Sequence, residues 1–187
     1  MRILRASDYK RMPWKNGGGE TVEIAVSPEG AGLADFDWRV SMATVATDGP
    51  FSVFPGIDRT LSILEGAGMT LFIEGREPVL LTQSSDPLPF AADAPTSATL
   101  VDGAITDLNV MTRQGKLGHS VRHLGIDGHA ELAPGSETTL VLCHRGYLDI
   151  DDRKLAVGDC LVFEAAAGAR HSVSGTAQLF VVELRRI

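Results

Sequence analysis

Apolar and polar residues alternate with a period of two along much of the chain, as they do in β-strands. The clearest examples are residues 38–43 and 107–111, where every second side chain is apolar. Between such stretches, 20 Gly and 9 Pro divide the chain into short apolar segments of strand length. The best candidates for helix are a single turn at residues 7–11 and a second turn near residues 116–123. The pattern therefore predicts an all-β protein built from many short strands.

A weak internal repeat relates the two halves of the chain. Residues 60–81, two apolar stretches around a glycine turn, are echoed by residues 139–163 at an offset of about 78 residues, which indicates a duplicated β unit. In the second copy, a Gly-Asp turn precedes a strand with His171, an order that resembles cupins, which are double-sheet β-barrels of the jelly-roll kind. The predicted fold class is all-β, a bicupin with two jelly-roll-like β barrels in one chain.

The polar stretch at residues 113–128 is the most natural boundary between the two halves. We predict an N-terminal cupin-like barrel with the ligand pocket at residues 1–113. A C-terminal cupin-like barrel, including the boundary loop, is predicted at residues 114–187. Residues 84–95 contain three prolines and little periodicity, so they are predicted to form a surface loop.

Composition and charge narrow the class of function. Hydrophobic residues make up 44% and charged residues 22% of the 187 residues, which is typical of a chain that folds alone. The formal net charge of -7 opposes binding to nucleic-acid phosphates. No apolar run approaches the roughly 20 residues that span a bilayer, and the N-terminus lacks a signal-peptide block, so we expect a cytoplasmic protein. Cys143 and Cys160 lie in apolar stretches and are expected to be small buried hydrophobic residues.

The most unusual stretch is PWKNGGGET at residues 13–21, with three consecutive glycines after an asparagine. One interpretation is a hairpin or bulged turn, because Asn-Gly readily adopts positive φ. The other is a loop whose backbone N–H groups receive an anion. A phosphate loop of the Walker type is excluded, because its lysine follows the glycines and here the lysine precedes them. The candidate ligand-binding residues of this stretch are Trp14, Lys15, Asn16, Gly17 and Gly18.

Two predicted strands carry polar side chains on one face. Arg39 and Ser41 share a face of the first strand, and Asp107 and Asn109 share a face of the second, with Met111 beside them. Such a face can be the solvent side of a sheet. In a barrel it can instead line the interior, where arginine and serine would form a ligand pocket rather than a core. These five residues are therefore candidate ligand-binding residues.

An aromatic, proline-rich loop at residues 48–60 contains Phe51 and leads to Arg59, where a first cupin signature should begin. Metal-binding cupins carry two histidines and a glutamate in that region. This chain has no histidine before His119, and in the second half His144 and His171 belong to no pair at metal-binding spacing. We expect no bound metal and no cofactor, and Phe51 and Arg59 join the candidate ligand-binding residues.

A series of motifs in the same order resembles the HutD/Ves family. They are PWKNGGGET (13–21), WRVSMA (38–43), GPFS (49–52), FPGIDR (54–59) and DLNVM (107–111). The resemblance is specific over residues 10–113 and loose beyond them. It implies a bicupin fold and, in bacteria that degrade histidine, an association with histidine utilisation. HutD-like proteins are suspected to moderate that pathway by binding an intermediate such as urocanate or a formylated glutamate. Ves-like relatives act in other settings, including cold-linked expression, and the motifs do not separate the two branches.

The leading hypothesis is metal-independent binding of a small acidic metabolite, urocanate-like or formylglutamate-like, that moderates histidine utilisation. Its carboxylate would be held by Arg39 or Arg59 and by N–H groups of the glycine stretch, because a bidentate arginine is a natural carboxylate receptor. Asn109 and Ser41 would add neutral hydrogen bonds.

Two other functions remain open. One is a metal-independent isomerase or hydrolase acting on such a metabolite, with Asp107 or Glu20 as the base. The other is a regulator that binds only proteins. The expected partners are a small acidic metabolite, with a homodimer left open, and neither nucleic acid nor a membrane.

Overall fold

The computed structural model describes residues 1–15, 17–164 and 168–187. These residues form an all-β structure in which the one helical element is a 3-10 turn at Ala6–Asp8, so the all-β prediction is confirmed. No helix in this part of the chain is long and apolar enough to cross a membrane. The strands, in chain order, are β1 (Arg2–Leu4), β2 (Lys10–Pro13), β3 (Gly19–Ser27), β4 (Trp38–Val45), β5 (Gly49–Pro50), β6 (Ile57–Glu65), β7 (Met69–Ile73), β8 (Val79–Leu81), β9 (Leu88–Ala91), β10 (Thr96–Leu100), β11 (Ile105–Arg113), β12 (Leu117–Leu132), β13 (Thr138–Ile150), β14 (Arg153–Leu155), β15 (Cys160–Glu164) and β16 (His171–Arg186).

Lys10–Gly118 form one compact unit, here called the N-terminal unit, which contains two antiparallel sheets. The larger sheet has the strand order β2-β3-β4-β11-β6-β9, and the smaller has the order β5-β10-β7-β8. Apolar side chains of both sheets share one core cluster, with Leu61 and Ile105 from the larger sheet and Met69 and Leu71 from the smaller. One face of the larger sheet is therefore directed towards the smaller sheet.

Met1–Tyr9 and His119–Ile187 form the other compact unit, here called the C-terminal unit. Its sheet has the order β1-β15-β13-β16-β12, with β14 paired to β13. The ladder between β13 and β16 shifts register between Cys143 and Arg145. Gly146 follows this shift with a φ of 76°, and a Cβ there would overlap the carbonyl oxygen of Thr176. Glycine is therefore required where the strand changes register.

The first nine residues do not belong with the N-terminal unit, although the sequence pattern grouped them with residues 10–113. β1 pairs antiparallel with β15, and Leu4 lies opposite Cys160. Arg5 then donates to Asp159 over 2.6 Å, and the N–H of Ala6 donates to the other oxygen of the same carboxylate. These contacts are long-range pairings that no local pattern encodes.

Two polar stretches that the sequence pattern assigns to loops contain strands. Residues 84–95 contain β9, which pairs with β6 at the edge of its sheet. Pro89 is tolerated there because an edge strand does not need every N–H for the ladder. The boundary stretch at residues 113–128 lies largely in β12, the edge strand of the C-terminal unit. Most side chains of β12 are exposed or half-buried, so the apolar signal of a strand is weak.

Both cysteines are buried and unbridged, as their apolar sequence surroundings predict. Burial raises the pKa of the Cys143 thiol to about 11 and that of the Cys160 thiol to about 12. Because the thiolate is the reactive form, neither cysteine is activated as a nucleophile at neutral pH.

Candidate functional site

The strand register brings the two predicted polar faces together. In the larger sheet of the N-terminal unit, β4 pairs with β11, so that Asn109 lies opposite Ser41 and Met111 lies opposite Arg39. On its other side, β11 pairs with β6, and Met111 lies opposite Arg59. Residues directly opposite each other point to the same face, so all of these side chains share one face. Each is less than 10% exposed, which makes this an interior face and not the solvent side of the sheet.

Six polar side chains of this region are called the polar band here. They are Glu23, Arg39, Ser41, Arg59, Asp107 and Asn109. Along β11, the band is bounded by apolar residues in both directions. Ile105 belongs to the core cluster shared by the two sheets, and Met111 belongs to a smaller cluster with Phe36 and Ile57. The band is therefore a polar layer between two apolar layers.

Arg39 is paired within the protein. Its Nε donates to Oε2 of Glu23 over 2.7 Å, and its side chain is 6% exposed. Its Nη1 also lies 3.4 Å from Oγ of Ser41, which fixes the guanidinium along the strand. A charged hydrogen bond of this kind contributes about 1.5–3 kcal/mol. Glu23 and Arg39 thus neutralise one another inside the unit.

Arg59 has a different environment, made mainly of aromatic rings. Its guanidinium carbon lies 5.2 Å from the ring centroid of Phe54, 5.6 Å from that of Phe51 and 5.8 Å from that of Phe90. Its Nε is buried and has no hydrogen-bond partner in the part of the chain that the structure describes. Among the described residues, no carboxylate oxygen lies within 4.0 Å of its nitrogens. Aromatic faces stabilise the positive charge without neutralising it.

Burial and neighbouring charges set the charge state of Arg59. Burial lowers the pKa of its guanidinium to about 10, the negative charge of Asp107 opposes that shift, and the positive charge of Arg39 adds to it. With a pKa of about 10, Arg59 remains protonated at neutral pH. The band therefore holds a full positive charge that no carboxylate of residues 1–15, 17–164 and 168–187 contacts.

Asp107 is the most deeply buried carboxyl group of the band, at 1% exposure. Burial raises its pKa to about 7, although the charge of Arg59 and hydrogen bonds from the Ala43 N–H and the Asn109 side chain each lower it. Asn109 donates from Nδ2 to Oδ1 of Asp107. Asp107 is thus held in place, and both of its protonation states are accessible near neutral pH.

The glycine stretch forms the hairpin that the first interpretation predicted. β2 and β3 pair around it, and the N–H of Gly17 donates to the carbonyl oxygen of Trp14 over 3.0 Å. Gly17 has a φ of 71°, which glycine adopts without strain. The Trp14 indole donates to Thr21, while Lys15 is exposed and Gly18 is buried. Asn16 lies outside the described residues. The N–H of Gly17 is already bonded, so it is not available to an anion in this conformation.

The residues that were not singled out in the sequence are Glu23, Phe54 and Phe90. Glu23 lies in an alternating strand and looks like an ordinary solvent-side carboxylate. Phe90 lies in the stretch read as a loop, and the pairing of Phe90 with Arg59 across β9 and β6 places it at the band. Phe54 was visible as part of the FPGIDR motif, and this motif is the signal that could have identified it.

A separate shallow cleft of about 470 Å³ lies in the C-terminal unit. It is lined by acidic and basic residues of the turn between β13 and β14, including Asp151, Asp152 and Lys154. His171 lies next to this turn, with Nδ1 3.6 Å from Oδ2 of Asp151. None of the ligand-binding residues predicted from the sequence lines this cleft. Across residues 1–15, 17–164 and 168–187, no three His, Cys, Asp or Glu side chains group as metal ligands would.

Known proteins that match the chain identify its family. The family model described as HutD matches residues 6–181. The chain belongs to the HutD family. A protein of Pseudomonas putida described as an uncharacterized 21.2 kDa protein in the hutC 3' region is 34% identical over 169 residues, which are 88% of this chain and 87% of that protein.

Other relatives confirm the predicted resemblance to HutD and Ves. Protein Ves of Citrobacter koseri is 41% identical over 120 residues, which are 62% of this HutD-family chain and 61% of Ves. The structure of HutD from Pseudomonas fluorescens SBW25 in a formate condition has a TM-score of 0.85 at 34% identity, covering 100% of this chain and 98% of that one. A cupin 2 conserved barrel domain protein from Leptotrichia buccalis has a TM-score of 0.59 at 14% identity over 93% and 95% of the two chains. The HutD-family chain therefore has a cupin-like β fold.

Proposed function

We propose that this HutD-family protein is a metal-independent bicupin of the cytoplasm, and that it binds the carboxylate of a small acidic metabolite at Arg59. The observation that carries the proposal is the environment of that guanidinium, which is 4% exposed and has no carboxylate within 4.0 Å among the described residues. Burying a charge without an ionic partner is costly. A protein that retains such a charge gains stability when an anion binds to it.

The three phenylalanine rings support this role. They stabilise the guanidinium partly and leave its N–H groups without a negatively charged acceptor. Phe51 and Phe54 are half-buried and belong to the segment between β5 and β6, so they mark the side from which a ligand would approach. Arg39 is less suited to be the receptor because Glu23 already neutralises it.

Polar groups on the same interior face as Arg59 would orient the ligand. Asn109 and Ser41 carry neutral groups on the same interior face, and each can form a hydrogen bond with a ligand oxygen. The apolar layers on both sides of the band would exclude water, which strengthens a charged hydrogen bond. The site is thus suited to a small acid with a compact carbon skeleton.

The relatives suggest which acids to test. One relative is described as lying in the hutC 3' region, and another is HutD itself. We infer a role in moderating histidine utilisation, with urocanate and N-formyl-L-glutamate as the first candidate ligands. A second copy of the chain in a homodimer remains a further expectation.

A matched pair of compounds tests whether the carboxylate is recognised. Isothermal titration calorimetry should detect binding of N-formyl-L-glutamate or urocanate, and the corresponding amide should bind at least about tenfold more weakly because it lacks the charge. Equal binding of the acid and its amide, or binding of neither acid, would contradict the proposal.

A second candidate function, catalysis on the same metabolite, is favoured by one observation. Asp107 has a pKa of about 7, which suits a general base near neutral pH. Incubation of each acid with the protein, followed by proton NMR, would reveal turnover. Product that forms with the wild type and not with Asp107→Asn would favour the enzyme over the binding protein.

A further inference from the structure

A carboxylate ligand would upset the balance of charges in the interior of the N-terminal unit. Arg39 and Glu23 cancel each other through their ion pair. That leaves Arg59 as the remaining cation and Asp107 as the remaining carboxyl group. A ligand carboxylate at Arg59 would bring a second negative charge to a buried region with one free positive charge.

The other groups around Asp107 cannot offset that charge. β4 contributes the N–H of Ala43 and the already paired Arg39, and β11 contributes the neutral Asn109. Glu23 of β3 is itself negative, and Arg59 of β6 is the cation that the ligand would occupy. The smaller sheet packs apolar residues against this face, among them Met69, Leu71, Leu81 and Ala98. Among the described residues, the charge that acts on Asp107 is that of Arg59, and its hydrogen-bond donors are the N–H of Ala43 and the side chain of Asn109.

We propose that the site takes up one proton, on Asp107, when a carboxylate ligand binds to Arg59. This inference rests on the proposed function and adds that binding is regulated by pH. Two carboxylates that share a buried site cannot both remain ionised at low cost, and the usual outcome is that they share one proton. Asp107 is the carboxyl group placed to accept it, because it is 1% exposed and lies on the same interior face as Arg59, on the strand β11 that pairs directly with β6.

The protonated form has a second consequence for binding. A neutral carboxyl group carries an O–H that can donate to the ligand, whereas an ionised one only accepts. Asp107 would then assist Arg59 in holding the ligand oxygen, and Asn109 would continue to donate to the other oxygen of Asp107. Without ligand, Asp107 has a pKa of about 7, so the proton is available at neutral pH.

The sign of the pH dependence follows from proton uptake. Below about pH 6, Asp107 is already protonated and the affinity should be constant. Above about pH 7, each unit of pH should weaken binding by up to about tenfold, because a proton must first be taken from solution. N-formyl-L-glutamate is a suitable probe, since its carboxyl groups stay ionised throughout this range.

Calorimetry measures both the affinity and the proton. N-formyl-L-glutamate is titrated into the protein between pH 5.5 and pH 8.5, in two amine buffers of different ionisation enthalpy that do not compete as anions. We expect uptake of about one proton at pH 8 and close to none at pH 5.5. The Asp107→Asn variant, whose side chain is permanently neutral, should bind with the same affinity at every pH.

The experiment distinguishes failure of the proton-uptake proposal from failure of the proposed binding function. Binding by the wild type that does not change with pH overturns proton uptake and leaves the proposed function standing, whereas no binding at any pH overturns both. A measurement without ligand provides an independent check. The carbon-13 carboxyl resonance of Asp107, assigned by its loss in Asp107→Asn, should titrate near pH 7, and a midpoint near pH 4 overturns the inference whatever the calorimetry shows.

Discussion

Arg39 and Glu23 form an ion pair of 2.7 Å between Nε and Oε2 on the interior face of the larger sheet, with side chains that are 6% and 16% exposed. Arg59 lies on the same face, two strands away across β11, and contacts aromatic rings instead of a carboxylate. The charge of Arg39 is therefore neutralised by a carboxylate, whereas the charge of Arg59 is not. We expect Arg39 to stabilise the fold and Arg59 to bind the ligand.

Glu23→Gln should destabilise the protein by about 1.5–3 kcal/mol, because it leaves the buried Arg39 guanidinium with a neutral acceptor. Unfolding in urea measures this loss. Glu20→Gln is the matched control, since Glu20 lies on the same strand but pairs with the exposed Arg11, and such surface pairs contribute only about 0–1 kcal/mol. Equal effects of the two substitutions would show that the interior pair has no special role.

Asp107→Asn should change how stability depends on pH. The folded-state pKa of about 7 lies above the unfolded value of about 3.9, so the folded protein binds the proton more tightly. Stability from this group is present at pH 4 and is lost as the pH rises to about 7. Asparagine does not titrate, so the free energy of unfolding of the variant does not fall in this way. Relative to that of the wild type, it should rise by a few kcal/mol between pH 4 and pH 7. A stability difference that stays constant over this range would contradict the prediction.

Asp159→Asn should weaken the attachment of the first nine residues to the C-terminal unit. Burial by itself would raise the pKa of Asp159, but the N–H groups of Ala6 and Ala156 and the guanidinium of Arg5 outweigh it and lower that pKa. The stabilisation is therefore present above about pH 4 and disappears as the pH falls through the lower folded-state pKa. We expect a loss of about 1–3 kcal/mol at pH 7 that shrinks in acid.

The control for this prediction is Asp152→Asn. Asp152 is an exposed turn residue with a φ of 58°, a conformation that asparagine tolerates. Chemical denaturation at pH 7 and pH 3 separates the two variants. If Asp159→Asn costs as much at pH 3 as at pH 7, the carboxylate charge is not what holds the segment.

Gly19→Ala should destabilise the protein more than Gly17→Ala. A Cβ at position 19 would overlap the carbonyl oxygen of Thr44 and contact the Trp14 ring, whereas a Cβ at position 17 meets open space. Gly17→Ala should cost about 1–2 kcal/mol for the left-handed backbone alone. Gly19→Ala should cost more, since β3 and β4 would have to separate. Melting temperatures that fall equally would contradict this interpretation of the glycine stretch.

The sequence pattern predicted the strands that bury side chains and missed those that do not. β4 and β11 alternate between apolar and polar residues, which makes them recognisable as strands, although the structure buries the polar face as well as the apolar one. β9 and β12 are edge strands with few buried apolar residues, so composition alone made them look like loops. The pairing of β1 with β15 joins the two ends of the chain, and three residues carry too little pattern to predict it.

The polar band was predictable in part. Arg39, Ser41, Asp107 and Asn109 alternate with apolar residues along the sequence, and the pairing of β4 with β11 places them on one interior face. Glu23 could not be assigned as the partner of Arg39, since the ladder between β3 and β4 shifts register beside it and only the structure gives the pairing. Nor can the sequence show that the Arg59 guanidinium has no carboxylate within ion-pair distance among the described residues, because this depends on the distances to side chains of all neighbouring strands.

The affinity of Arg59→Met for N-formyl-L-glutamate and urocanate tests the central claim most directly. Methionine keeps an unbranched apolar side chain to pack against the phenylalanine rings, and it removes the charge together with the N–H donors. We predict an unchanged or higher melting temperature and a loss of about 1.5–3 kcal/mol in binding free energy, roughly a 10- to 160-fold weaker affinity. The exposed Arg76 of the same unit gives the control Arg76→Met, which should bind like the wild type. Wild-type affinity in a folded Arg59→Met protein would contradict the assignment of Arg59 as the carboxylate receptor.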